Sequence, residues 1–208
     1  MVAMCDNVRP PMTRGELDGQ MAAASALPFP GYYFGDRAGD YALDGIYVTG
    51  PNDQGGPQVD ADYGPCEGGQ RFGDDGGCSN PLDVTTQPWA PTGNVSCRRL
   101  EPQMGVPTAV LYGRLTVFTG NVKVILDDPE VKEGLSLLRT LRPMGRTGPV
   151  TSLPPPTKAI VSWVDQVCGP HPGDSREAPK TPQTPETPGS NTTVQAFTVQ
   201  RFGGGQRT

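Results

Sequence analysis

The sequence predicts an α+β fold: a small, mostly antiparallel sheet covered by two helices, with a disulfide-stapled loop and a disordered C-terminal tail. Three observations predict it. The stretch TAVLYGRLTVFTGNVKVILDDPEVKEGLSLLRTLRP holds three β-like runs between turn signals and then switches to a helical period. Gly and Pro number 28 and 24 of 208 residues, a quarter of the chain, while hydrophobic residues are only 35%, so the core is modest and the loops are many. Two cysteines, Cys66 and Cys78, bracket a segment made of glycine and charge that has little to bury. We divide the chain into an N-terminal segment with a helix (1–26), one α+β domain (27–168) and a Pro/Thr/Gly-rich flexible tail (169–208).

The elements follow in order. Thr13 stands three residues before Glu16, the spacing of a capping box, and Ala-rich sequence follows, which predicts a helix over 14–27. Pro28 and Pro30 stop it. Aromatic and β-branched residues between glycines predict short strands at 32–34 and 45–48. Residues 51–62 read as a polar loop, and DVTT at 83–86 as another short strand. Trp89, between prolines, reads as a plug at the edge of the sheet.

The strongest signal is the β-like trio 109–112, 115–118 and 122–126, separated by Gly113-Arg114 and by Thr119-Gly120-Asn121. A helix over 128–141 should follow, with Asp128 as N-cap, Pro129 at its first position and Val131, Leu135, Leu138 and Leu141 on one face. A second helix reads over 157–168, with Ile160, Val164 and Val167 aligned, Trp163 beside them and Gly169 closing it. The Pro/Thr/Ser run beyond has no core-forming pattern, and VQAFTVQRF at 194–202 reads as a last strand or a docking tail.

Charge sets bounds on function. The net charge is −5, which argues against nucleic acid as a primary partner. It is unevenly spread. Over 35–83 ten acids stand against Arg37 and Arg71, whereas over 98–158 nine bases stand against five acids. Two solvated faces account for this, or an acidic surface for cations or a basic partner. No run of 18 apolar residues offers a membrane span, and the first residues lack the apolar stretch of a signal peptide.

The candidate chemistries are few. The cysteines (5, 66, 78, 97, 168) are spaced 61, 12, 19 and 71 residues apart, with His171 the one histidine, which does not fit a zinc site. Asp74 and Asp75 are adjacent, without the alternating ligands of a calcium loop. Cys168 and His171 flank a Gly-Pro turn with no orienting group for nucleophilic catalysis. No catalytic residue, cofactor-binding residue or metal ligand is assigned. A covalent staple remains. A Cys66–Cys78 bond would close a loop of about 13 residues, worth about 3 kcal/mol on the chain-entropy relation. Cys97 and Cys168 form a second candidate bond, because Cys168 lies four residues beyond core-facing Val164 and so points inward. Cys5 is left over and competes for either partner. The rival reading is five idle thiols in a reducing cytosol.

LPFPGYYFG, LDGIY, YGPC, GGCSNPLDVTTQPW, SCRRL, VFTGNVKVIL and LLRTLRP occur in that order over about 27–168. This order resembles a group of uncharacterised actinobacterial exported or lipoprotein-like proteins. The resemblance brings no activity. It implies that Cys66, Cys78, Cys97 and Cys168 belong to an exported domain, although the export signal of that group is not seen here. The expected function is a non-enzymatic binding or structural module of the cell envelope, with an unknown protein or envelope component as partner. The alternatives are a carboxylate-dependent hydrolase and an accessory subunit of a larger assembly, the latter in the cytoplasm.

Overall fold

The computed structural model describes residues 10–51, 56–66, 80–93, 95–127, 130–146 and 150–169. By its contacts the chain divides into one unit over Met1–Ser175 and another over Arg176–Thr208, and every described residue belongs to the first. Cys5, Asp74, Asp75, Cys78, Asp128, Pro129, His171 and the expected tail beyond Gly169 lie outside the described residues.

Helix α1 spans Arg14–Ser25. Its capping box forms as the spacing requires: Thr13 N donates to Glu16 Oε2 at 2.8 Å, and Glu16 N donates to the Thr13 hydroxyl at 3.4 Å. The Thr13 hydroxyl, which also donates to Glu16 Oε2 at 2.7 Å, and then the Thr13 N–H hold the Glu16 carboxyl below its ordinary pKa. The strands are β1 (Tyr32–Tyr33), β2 (Arg37–Ala38), β3 (Tyr41–Thr49), β4 (Gln58–Tyr63), β5 (Leu82–Pro88), β6 (Cys97–Gln103), β7 (Val106–Leu111), β8 (Arg114–Thr119), β9 (Val122–Asp127) and β10 (Arg142–Pro143). Helix α2 is Val131–Leu137, continued by a 3-10 turn over Leu138–Thr140, and helix α3 is Lys158–Cys168.

Eight strands make one curled, wholly antiparallel sheet in the order β2-β3-β4-β5-β9-β8-β7-β6, while β1 and β10 pair separately. Two hairpins turn on a residue with positive φ followed by glycine: Met104-Gly105 (49° and 79°) and Tyr112-Gly113 (50° and 86°). That pair of left-handed residues matches the twist of the flanking strands.

The two faces of the sheet differ. One carries Ile46, Val59, Ala61, Tyr63, Val84, Val117, Val124 and Leu126, each at most 1% exposed, and packs on Phe29, Tyr32, Leu138 and Leu141 in the main core. The back face is divided. Over β6–β8 it is covered by α3, whose Ile160 and Val164 bury Ala109, Leu111 and Phe118 with Trp89 and Trp163 at the margin. Over β4, β5 and β9 it carries Asp60, Asp62, Asp83, Thr85 and Asp127.

Four expectations change. Among the described residues three helices pack on the sheet rather than two, because α1 lies against β3 and delivers Ala24, 1% exposed, to the core with Leu17 and Met21 beside it. The sheet is larger than expected. Residues 58–63 are not loop but the third strand of the main sheet, alternating Val59, Ala61 and Tyr63 inward with Gln58, Asp60 and Asp62 on the back. The helix expected over 128–141 begins at Val131 after a non-helical Glu130 and tightens into the 3-10 turn before Leu141 becomes extended. Its inward face is nevertheless the one the period gives, with Leu138 and Leu141 buried and Leu135 beside them.

Candidate functional site

The cysteines come first, because the sequence singled them out. Cys97 opens edge strand β6, Cys168 ends α3, and the two are disulfide-bonded with Cα atoms 4.9 Å apart. Cys97 lies opposite Leu111 in the ladder, and so its side chain faces the same back surface that α3 covers. Arg99, two residues along, reaches the same helix: it pairs with Asp165 and donates to the Gly169 carbonyl at 3.2 Å. Cys66 is also disulfide-bonded and buried, at 6% exposure. Cys97 and Cys168 hold each other, which leaves Cys5 and Cys78 as its candidate partners.

The acids of the first half converge on the back face. Asp62 lies opposite Asp83 and Asp83 opposite Asp127, a row of three carboxylates across adjacent strands. Arg114 pairs with Asp127 at 2.7 Å. One strand position along, Asp60 accepts from Thr85 at 2.7 Å and from Gln58 at 2.9 Å. Among the described residues, no group of three His, Cys, Asp or Glu side chains is arranged to hold a metal ion.

A cleft of about 640 Å³ opens where residues 24–32 meet residues 143–146 and 150–155. The sequence analysis did not single it out. Its geometry starts from β1 and β10, which pair Tyr32 with Pro143 and Tyr33 with Arg142. Met144 N donates to the Gly31 carbonyl at 2.8 Å just beyond that pairing. Gly31 suits this close approach, since a Cβ there would sit 3.1 Å from Met144 Sδ and 3.2 Å from Val59 Cγ1, tighter than ordinary contact. The opposite wall, around Leu153 and Pro154, is tied to the sheet. Leu153 N donates to Met104 O at 3.2 Å, and the Pro154 carbonyl accepts from Thr119 Oγ1 at 2.8 Å and from Gly120 N at 3.2 Å.

Tyr32 forms the base of the cleft. Burial pushes its hydroxyl above the ordinary tyrosine pKa, while a hydrogen bond with the Thr119 side chain and the nearby Arg146 guanidinium draw it partly back. Arg146 stands exposed and is the one charged residue among the described residues that line the cleft. Those described residues include no Asp, Glu, His or Cys, and the rest are largely proline and aliphatic. Such a surface can hold and orient a molecule. The cleft was not legible from spacing because more than a hundred residues separate its two walls.

No family model, no curated protein and no solved structure matches the chain. Geometry and sequence therefore carry the functional reading.

Proposed function

We propose that the chain is a non-enzymatic binding or structural module of the cell envelope, held by disulfides. The resemblance to exported actinobacterial proteins and the disulfides point the same way. The observation that carries the reading is the Cys97–Cys168 bond together with the disulfide state of Cys66. Bonds of this kind form and persist in oxidising compartments and are rare in the cytosol. In this reading Cys66 pairs with Cys78 and staples the Gly-rich loop between them.

The carboxylate-hydrolase alternative is less well supported. The acids that do converge, Asp62, Asp83 and Asp127, lie on the back of the sheet, and none of them lines the cleft. The assembly-subunit alternative calls for a broad exposed apolar face. Among the described residues the large hydrophobic side chains standing exposed are Tyr41 and Tyr112, at 42% and 63%.

Fractionation of the native host carrying a tagged copy of the natural gene tests the reading. The product is expected outside the cytoplasm, with its cysteines resistant to alkylation until a reductant is added. A cytoplasmic product with freely alkylated thiols would overturn it.

A further inference from the structure

We infer that the cleft lined by residues 24–32, 143–146 and 150–155 binds a small organic acid, with an apolar body against the aliphatic wall and its carboxylate on Arg146. This rests on reading the chain as a binding module and names the class of ligand it would take. Size is the first argument. A volume of about 640 Å³ falls within the range of small-molecule pockets, on the order of 300–1,000 Å³, and is too small for a folded partner.

Preorganisation is the second. One wall is pinned by the β1–β10 pairing and the Met144–Gly31 hydrogen bond. The other is pinned through Leu153 to Met104 and through Pro154 to Thr119 and Gly120. Pro28, Pro30, Pro143, Pro154 and Pro155 have fixed φ, so little ordering entropy is left to lose on binding.

Charge complementarity is the third argument. The protein is acidic overall, yet among the described residues the lining carries one cation and no acid, and Arg146 takes no part in the ion pairs found among them. A guanidinium presents a fork that matches a carboxylate. A single cation over apolar walls suits a monoanion with a hydrophobic body better than a phosphate ester, which calls for several donors.

Methyl NMR on the full oxidised chain, titrated with octanoate and separately with octan-1-ol, tests the inference through Leu27, Met144 and Leu153. Octanoate should shift these methyls saturably and bind at least about tenfold more tightly than octanol. Arg146→Gln should abolish that difference and leave octanol binding unchanged, which also shows the cleft intact. Arg139→Gln, an exposed cation outside the lining, should leave it in place. Equal affinity for acid and alcohol, or an unaffected Arg146→Gln, would overturn the assignment to organic acids. No saturable shift with either probe would overturn the cleft as a ligand site. Both results would leave the envelope reading standing, since that reading fails on compartment and thiol state instead.

Discussion

Cys97 and Cys168 join the first residue of an edge strand to the last residue of a helix that covers the back of the same sheet, with Cα atoms 4.9 Å apart. The bond spans a sequence separation of 71 residues. It secures the second, smaller hydrophobic cluster, which would otherwise hold α3 through a handful of side chains. Both tryptophans of the protein, Trp89 and Trp163, belong to that cluster, with ring centroids 6.1 Å apart.

Replacing Cys97 by Ser should therefore destabilise the protein by about 2–4 kcal/mol, the typical range for a disulfide. The loss should be visible first as α3 loosening. Tryptophan fluorescence should redden at lower urea than the loss of far-ultraviolet sheet signal. Coincident transitions, unchanged from the parent, would show that the bond is not what holds the helix.

Leu138→Ala should cost about 2–5 kcal/mol in urea unfolding, by transfer energy and by the cavity left in the main core to which Leu138 belongs. Leu138 is 1% exposed, so the cost should fall in the upper part of that range if the 3-10 turn cannot settle inward.

Tyr63 predicts a pH dependence. Its side chain is fully buried, its hydroxyl accepts from Phe34 N at 2.7 Å and donates to the Gly35 carbonyl at 3.1 Å. Burial is the main cause that raises its pKa far above the ordinary value of 10.0. The unfolded chain then ionises first as pH rises, so this contribution is fully present below pH 10 and is lost progressively above it. Tyr32, shifted the same way by burial, adds to the effect. Tyr63→Phe should cost about 1–3 kcal/mol at neutral pH, by leaving the Phe34 N–H unpaired, and should flatten the alkaline decline in stability. A parent-like decline in the variant would contradict the assignment.

Gly35→Ala should destabilise by about 1–3 kcal/mol for two reasons that act together. Gly35 has φ of +89°, and a Cβ there would collide with the Arg142 guanidinium. That guanidinium lies over the Tyr33 ring, 5.2 Å from its centroid. Urea denaturation of Gly35→Ala beside Gly93→Ala, where a Cβ meets nothing within 4 Å, would isolate the effect.

The three hairpin-linked strands β7, β8 and β9 were legible because alternation and turn residues agree there, and the inward direction of Cys168 followed from its spacing to Val164. Two other strands were not legible for physical reasons. In β4 the alternation of Val59, Ala61 and Tyr63 is present, but acids occupy the other half and make it read as loop. In β6 the sequence CRRLEPQ is polar, and the half-buried Arg99 is met by Asp165 of α3, far away in sequence. The row of Asp62, Asp83 and Asp127 depends on β4, so it was lost with that strand. The cleft depends on a two-residue pairing between β1 and β10, which no local pattern announces.

Peptide mapping without reduction, on protein purified from the native host, tests the central claim most directly. The account predicts one linked peptide pair containing Cys97 and Cys168, another containing Cys66 and Cys78, and Cys5 as the single cysteine outside both. A Cys5–Cys97 or Cys5–Cys168 peptide would contradict the pairing, and five alkylatable thiols would contradict the disulfide-held envelope module as a whole.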